Sequence, residues 1–243
     1  LYSQINVKSW DQSKQILVER LLPIFQRAME NQVFLNLDME QYALKDLTLE
    51  VFASLIMRPE FKNYRHWGVV IQAYLRDSLS DVSRLIRLAQ NRGTPFTVRL
   101  VKGAYWDYET VKAQQTGWPI PVYTNKQESD ANFEACAKNL LANHAVIQTA
   151  IGSHNVRSIA AALALANGFK LPRNALEIQM LYGMGDAIKK SLVSMGYRVR
   201  EYAPIGELIP GMAYLVRRLL ENTSNQSFLR SKYADNMDPN ELL

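Results

Sequence analysis

Short runs rich in β-formers alternate with long amphipathic segments along nearly the whole chain, and this alternation limits the fold more than any other feature. The runs at 33–38, 68–74, 96–102, 146–151, 175–181 and 198–203 read as strands, most of them bounded by Gly, Pro or Asn. Between them, 11–31, 44–57, 77–91, 126–142, 155–167 and 185–195 carry apolar residues at helical spacing, and a last such segment lies near 211–222. In 127–141, for instance, Phe133, Cys136 and Leu140 share one helical face. Strands alternating with helices call for a parallel sheet covered by helices. The strand ends then choose between the two ways of winding it. Asp38, Gln72, Arg99 with Lys102, His154 with Asn155, Gln179 and Tyr202 all fall at or near C-terminal strand ends. Those ends converge on the active face of a (β/α)8 barrel. A doubly wound sheet would be expected to show G-x-G-x-x-G after its first strand, and no such motif is present. The expected fold is therefore α/β, a (β/α)8 TIM-type barrel of which six strands are visible. A barrel domain is assigned to 1–231 and an exit segment to 232–243. The longest connection, 103–145, carries Trp118-Pro119-Ile120-Pro121 as an ordered excursion.

Composition removes several classes of function. The 243 residues are 48% apolar, enough for a sizeable core. Lys and Arg number 28 against 23 acidic residues, and the net +5 is spread along the chain. Spread charge argues against a basic stripe for nucleic acid, though it suits anionic substrates or an anionic membrane surface. The single cysteine, Cys136, excludes an internal disulfide and a cysteine-rich zinc site. No apolar run approaches the roughly 18 residues that span a bilayer. The start, Leu1-Tyr2-Ser3, has no signal-peptide pattern and no initiator methionine, so an internal piece of a longer protein is expected.

The densest chemistry lies in Arg99-Leu-Val-Lys-Gly-Ala-Tyr-Trp-Asp107. Two cations at the end of an apolar strand precede small residues that let a flat ring or phosphates approach the backbone. The plain alternative is a salt bridge and an aromatic plug. Ser153-His154-Asn155 follows a strand and could hydrogen-bond a nucleotide, although a lone histidine is more often structural. Arg217-Arg218 sits among Tyr214, Leu215, Val216, Leu219 and Leu220, an apolar setting in which two arginines need an anion or acidic partners. Gly183-Met-Gly185 is a weak anion signal and more often a turn. Cys136 reads as core. Asp38 and Glu40 alternate and so make a doubtful acid/base pair. His66 and His144 lie at the opposite strand ends, so no metal-ligand set is expected.

Taken together, these segments resemble the proline dehydrogenase domain of bacterial bifunctional proline-utilisation flavoenzymes. The resemblance runs through Asn36-Leu-Asp38, Val70-Ile-Gln-Ala-Tyr74, Arg99 to Asp107, Pro121 to Lys126, Ser153-His-Asn155, Gln179 to Met184, Tyr202-Ala-Pro204 and Ala213 to Asn222. It implies a (β/α)8 barrel with FAD across its C-terminal face. Gln72, Arg99, Val101, Gly103, Ala104 and Trp106 then correspond to flavin contacts. Thr124, Lys126, His154 and Asn155 fall on the phosphate and adenosine side, and Glu221 is also at the cofactor. Arg217 and Arg218 correspond to the clamp on the proline carboxylate, Tyr202, Leu181 and Tyr105 to the wall around its ring, and Asp38 to the acid near its amine. Arg99, Asp38 and Tyr202 are the residues expected to act in catalysis. The implied reaction moves hydride from C5 of L-proline to flavin N5, giving Δ1-pyrroline-5-carboxylate, with electrons passed to a membrane quinone. A fused pyrroline-5-carboxylate dehydrogenase domain and a cytoplasmic location, peripheral to the inner membrane face, go with that family.

The family's first two strands and its substrate lysine are expected upstream of Leu1. Tyr182 stands where the resembled enzymes usually carry histidine, and Gly152-Ser153 where they carry Ala-Thr. Alternatives from the same residues are a flavin barrel for a related cyclic amino acid such as hydroxyproline, and a barrel that binds no flavin.

Overall fold

A computed structural model of the chain describes Ile5, residues 7–207, Ile209 and residues 211–212. In chain order the helices and strands are α1 (Trp10–Glu30), β1 (Leu35–Leu37), α2 (Lys45–Ile56), β2 (Trp67–Gln72), α3 (Ser78–Arg92), β3 (Thr97–Val101), α4 (Trp106–Thr116), α5 (Lys126–Ala142), β4 (Gln148–Gly152), α6 (Val156–Gly168), β5 (Leu176–Leu181), α7 (Asp186–Ser194) and β6 (Arg198–Tyr202). The six strands form one sheet in the order β1-β2-β3-β4-β5-β6, with every neighbouring pair parallel. Each strand lies beside its successor, so the order never reverses and the crevice of a doubly wound sheet does not arise. This is barrel winding.

The sheet is curled. The Arg200 guanidinium of β6 lies 4.8 Å from the ring of Phe34, the residue just before β1, so the two edges face each other across a hollow. Among the described residues β1 and β6 do not pair, and the architecture is a curled α/β half-barrel. The six strands of the sequence reading are all present, and eightfold closure is not formed within the described residues.

Parallel register and the two-residue pleat sort the side chains into two sets. One set, Val69↔Val98 and Ile71↔Leu100↔Ile151↔Ile178↔Val199, faces the helices. It packs in a continuous core with Phe25, Phe52, Leu55, Phe96, Phe133 and Leu140. Burying each such side chain contributes roughly 1.5–3 kcal/mol before entropy is counted. The other set, Val70↔Arg99↔Ala150↔Glu177↔Arg198 and Gln72↔Val101 with Gly152↔Gln179↔Arg200, faces the hollow and is largely polar.

Strand and helix boundaries fall within one or two residues of the sequence reading, which is the usual margin. One helix was not expected there. α4 occupies part of the 103–145 connection, and only Glu109 and Ala113 of it are buried, so it lacks the apolar stripe that marks the others. α1 runs through Pro23 because Leu17, Leu21, Phe25 and Ala28 anchor its inner face on both sides of the proline. The expected helix near 211–222 lies outside the described residues from 213 onward, as does the segment 232–243.

At the N-terminal end of the strands a buried arginine closes the structure. Arg92, in the last turn of α3, is 2% exposed. It donates to the carbonyls of Ile56, Phe61, Tyr64, Thr94 and Pro95 at 2.6 to 3.3 Å. Burial draws its guanidinium down to about 10, still charged at neutral pH. One side chain thus ties the end of α2, the loop before β2 and the approach to β3.

Candidate active site at the C-terminal mouth

The C-terminal ends of β1, β2, β3, β5 and β6 bring most of the expected residues together. Asp38 follows β1 and accepts from Asn36 Nδ2 at 3.2 Å. Its carboxylate also pairs with Arg99 Nη2, joining β1 to β3. Arg99 Nη1 reaches Gln179 Oε1 on β5 at 3.5 Å. Gln179 Nε2 in turn donates to Glu177 Oε1 at 2.8 Å. Glu177 is gripped by Arg200 of β6, at 2.7 Å to Oε1 and 3.0 Å to Oε2. A polar chain therefore crosses the hollow from one edge of the sheet to the other. Each charge in it faces an opposite one, Asp38 against Arg99 and Glu177 against Arg200, with the neutral Gln179 between the two pairs.

Gln72 closes β2 and is 2% exposed. Its Nε2 donates to the carbonyls of Met39 and Glu40, fastening the loop after β1. Its Oε1 is buried without a hydrogen-bond partner. An unsatisfied buried acceptor costs about 1–3 kcal/mol, so it is best met by a donor supplied from the hollow. Val101 lies in register with Gln72 on β3. A Cβ at Gly152 would stand 2.9 Å from Val101 and 3.5 Å from the Arg99 stem, so the glycine leaves room for both.

Beyond β3 the backbone turns at Gly103, with φ +133°. A Cβ there would stand 2.4 Å from the Tyr74 ring, so only glycine lies flat on that ring. Burial raises the Tyr74 phenol well above its ordinary range and keeps it neutral. Ala104 is exposed beside Gly103, leaving an open shelf of backbone. Tyr105 stands at the N-terminal boundary of α4. The Trp106 indole is tied to the Tyr123 carbonyl at 2.9 Å.

Lys102, three residues after Arg99, points to the opposite face and pairs with Asp130 of α5. Lys126 holds the same carboxylate at 2.7 Å. Burial alone would raise Asp130, but the two ammonium groups outweigh it and hold the carboxyl below its ordinary value. Thr124 and Lys126 are exposed around the first turn of α5, where Asn125 caps the helix by accepting from Gln127 N at 2.8 Å. Asn155 caps α6 by accepting from Ser158 N at 3.0 Å. His154 Nε2 accepts from the Leu181 backbone N at 3.0 Å, fastening the end of β5. Leu181 and Tyr202 are in register at the ends of β5 and β6, with Tyr202 half exposed to the mouth. Tyr182 is exposed. Arg217, Arg218 and Glu221 lie outside the described residues.

The sequence reading passed over Glu177, Arg200 and Asp130. The polar alternation of Glu177 and Gln179, and of Arg198 and Arg200, was the available signal for the first two. Cys136 is core, its thiol pushed up to about 11 by burial. Asp38 and Glu40 form no pair, since β1 has already ended and Asp38 is engaged by Arg99. Among the described residues no group of three His, Cys, Asp or Glu is placed to hold a metal ion, and no helix is long and apolar enough to cross a membrane.

Comparison with known proteins gives a consistent result. A family model described as proline dehydrogenase matches residues 2–231. A bifunctional protein PutA of Klebsiella aerogenes is 35% identical over 98% of this chain and 19% of its own length. Proline dehydrogenase 2 of Bacillus subtilis (strain 168) is 34% identical over 88% of this chain and 62% of its own. The crystal structure of proline utilization A from Bdellovibrio bacteriovorus, inactivated by N-propargylglycine, superposes with a TM-score of 0.96 at 66% identity. That match covers 100% of this chain and 25% of the other. The chain spans about a fifth of the length of the bifunctional relatives it matches.

Proposed function

This chain belongs to the proline dehydrogenase family, and from that premise we propose that the intact protein oxidises L-proline to Δ1-pyrroline-5-carboxylate with FAD bound at the C-terminal mouth. The observation that carries the proposal is the convergence of Asp38, Gln72, Arg99, Val101, Gly103, Leu181 and Tyr202 from five strand ends on one open mouth. The residues present fit the cofactor. Gln72 Oε1 is a buried acceptor lacking a donor, which a ring N–H would supply, and the exposed Gly103-Ala104 backbone suits a flat ring. The exposed first turn of α5, with Thr124 and Lys126, suits phosphate groups.

Bound FAD would supply the hydride acceptor for proline C5, at its N5, and would hand the electrons on to a membrane quinone. The protein's own residues bind and orient. Arg99 places a fixed positive charge at the mouth, where it favours negative charge developing on a reduced ring. Asp38 holds Arg99 and offers a carboxylate to the substrate amine. Leu181 and Tyr202 give the pyrrolidine ring an apolar wall, with Tyr105 beside α4. Arg217 and Arg218 are assigned the proline carboxylate, which two guanidinium groups bind bidentately. Gln72, Val101, Gly103, Ala104, Trp106, His154, Asn155 and Glu221 are assigned to the cofactor's surroundings. A fused pyrroline-5-carboxylate dehydrogenase domain and peripheral membrane attachment of the parent protein belong to the same proposal.

The test is the visible absorption spectrum of the intact protein before and after anaerobic L-proline. A flavin spectrum that bleaches with proline is the expected result. Bound flavin that ignores proline would redirect the assignment to another cyclic amino acid such as hydroxyproline. Folded full-length protein without flavin would overturn the enzymatic reading.

A further inference from the structure

Arg99 has two carboxylates within reach of its row. Ala150 is the residue in register between Arg99 and Glu177, and it presents only a methyl group to the hollow. Two strand spacings, roughly 9.6 Å, separate the backbones of Arg99 and Glu177. A long guanidinium side chain spans that distance easily. Glu177, with its side chain 13% exposed, would therefore draw Arg99 deeper into the hollow. The structure shows why it does not. Arg200 grips Glu177 through both carboxylate oxygens, and Gln179 stands above it on the same face of β5. The Gln179 amide has one workable orientation, with Oε1 toward the Arg99 cation and Nε2 toward the Glu177 anion. Reversing it would set donor against donor and acceptor against acceptor.

We propose that Gln179, held by the Glu177–Arg200 pair, is a positioning residue that keeps the Arg99 guanidinium at the mouth, paired with Asp38. This rests on the placement of Arg99 beside the flavin. Arg99 then favours the reduced ring through its position, and the chain of contacts reaching β6 sets that position.

The experiment is spectroelectrochemical titration of the flavin in the full-length, FAD-loaded protein, alongside proline KM and kcat. In Gln179→Met the flavin content and KM should stay near those of the parent. The reduction equilibrium should shift about tenfold toward the oxidised flavin, a fall of roughly 30 mV for a two-electron couple. Arg200→Met should lower the potential in the same direction, by leaving Glu177 with only the looser Arg198 contact at 3.9 Å and so letting it attract Arg99. Adding Glu177→Gln to Arg200→Met removes the competing anion but keeps an amide oxygen to accept from Gln179 Nε2, so it should restore the potential, which a purely structural role would not produce. If Gln179→Met loses flavin, the Arg200→Met single and double variants carry the test. An unchanged potential in Gln179→Met, or no restoration in the double variant, overturns the positioning role. Arg99→Met run in parallel separates the two readings. If it shifts the potential and Gln179→Met does not, only the positioning role fails. If Arg99→Met leaves the potential unchanged, the placement of Arg99 at the flavin fails as well.

Discussion

On β3, Val98 and Leu100 face the helices and are fully buried, whereas Arg99 and Val101, between and beside them, face the hollow. The same alternation divides β5, with Ile178 and Met180 inward and Glu177 and Gln179 on the concave side. The helix-covered face is continuous and apolar, with aromatic pairs such as Phe52 and Phe96 at 5.2 Å. The concave face is a polar chain with a buried acceptor left open at Gln72. The difference teaches a division of labour by parity. Residues two apart on one strand share a face, so one strand can serve the core with one set and the mouth with the other. Stability should reside on the first face and chemistry on the second.

Four substitutions sharpen that division. The largest loss of stability is expected from Arg92→Met. Five carbonyls lose a charged donor, each worth roughly 1 kcal/mol or more, so the denaturant-unfolding free energy should fall by about 5 kcal/mol. Leu100→Ala on the helix-facing side should cost about 3 kcal/mol in the same assay, while protein that remains folded keeps the parent flavin spectrum. Gly103→Ala should cost about 1–3 kcal/mol of strain and crowding against Tyr74, with loss of bound flavin out of proportion to the loss of stability. A Gly103→Ala protein with normal flavin content would break the comparison, since it would place the shelf outside the site.

The smallest effect is pH-dependent. Asp130 is held below its ordinary value in the folded state by Lys102 and Lys126. Its stabilisation is therefore present above the unfolded carboxylate value of about 3.9 and is lost as pH falls through the lower folded value. Asp130→Asn should be less stable than the parent at neutral pH, and the gap should close below about pH 4. Urea midpoints measured across that range decide it. A gap that persists in acid would assign the residue a packing role instead.

Much of this architecture was legible in the chain. Six strands and six helices announced themselves through hydrophobic period, because the elements that cover a sheet must carry an apolar stripe. α4 escaped for the converse reason, with Trp106, Tyr108 and Val111 exposed and only two residues buried. In the candidate site, residues at strand ends were readable as a class. Their partners were not. Arg99 and Lys102 looked like one cationic pair, yet their odd spacing sends them to opposite faces, one to Asp38 and the other to Asp130. His154 and Asn155 looked like ligand contacts and are also structural ties, to Leu181 N and Ser158 N.

The sequence by itself determined the element order, the parallel sheet and the end of it where the candidate site residues gather, because period, turn residues and strand-end polarity are local properties. The tertiary structure alone decided which charges meet, that Gln179 stands between Arg99 and Glu177, and that Arg200 comes round to face Phe34. Those pairings depend on register between strands as many as 80 residues apart and on the curl of the sheet. Strand register is settled by packing the whole apolar face at once, and no single segment encodes it.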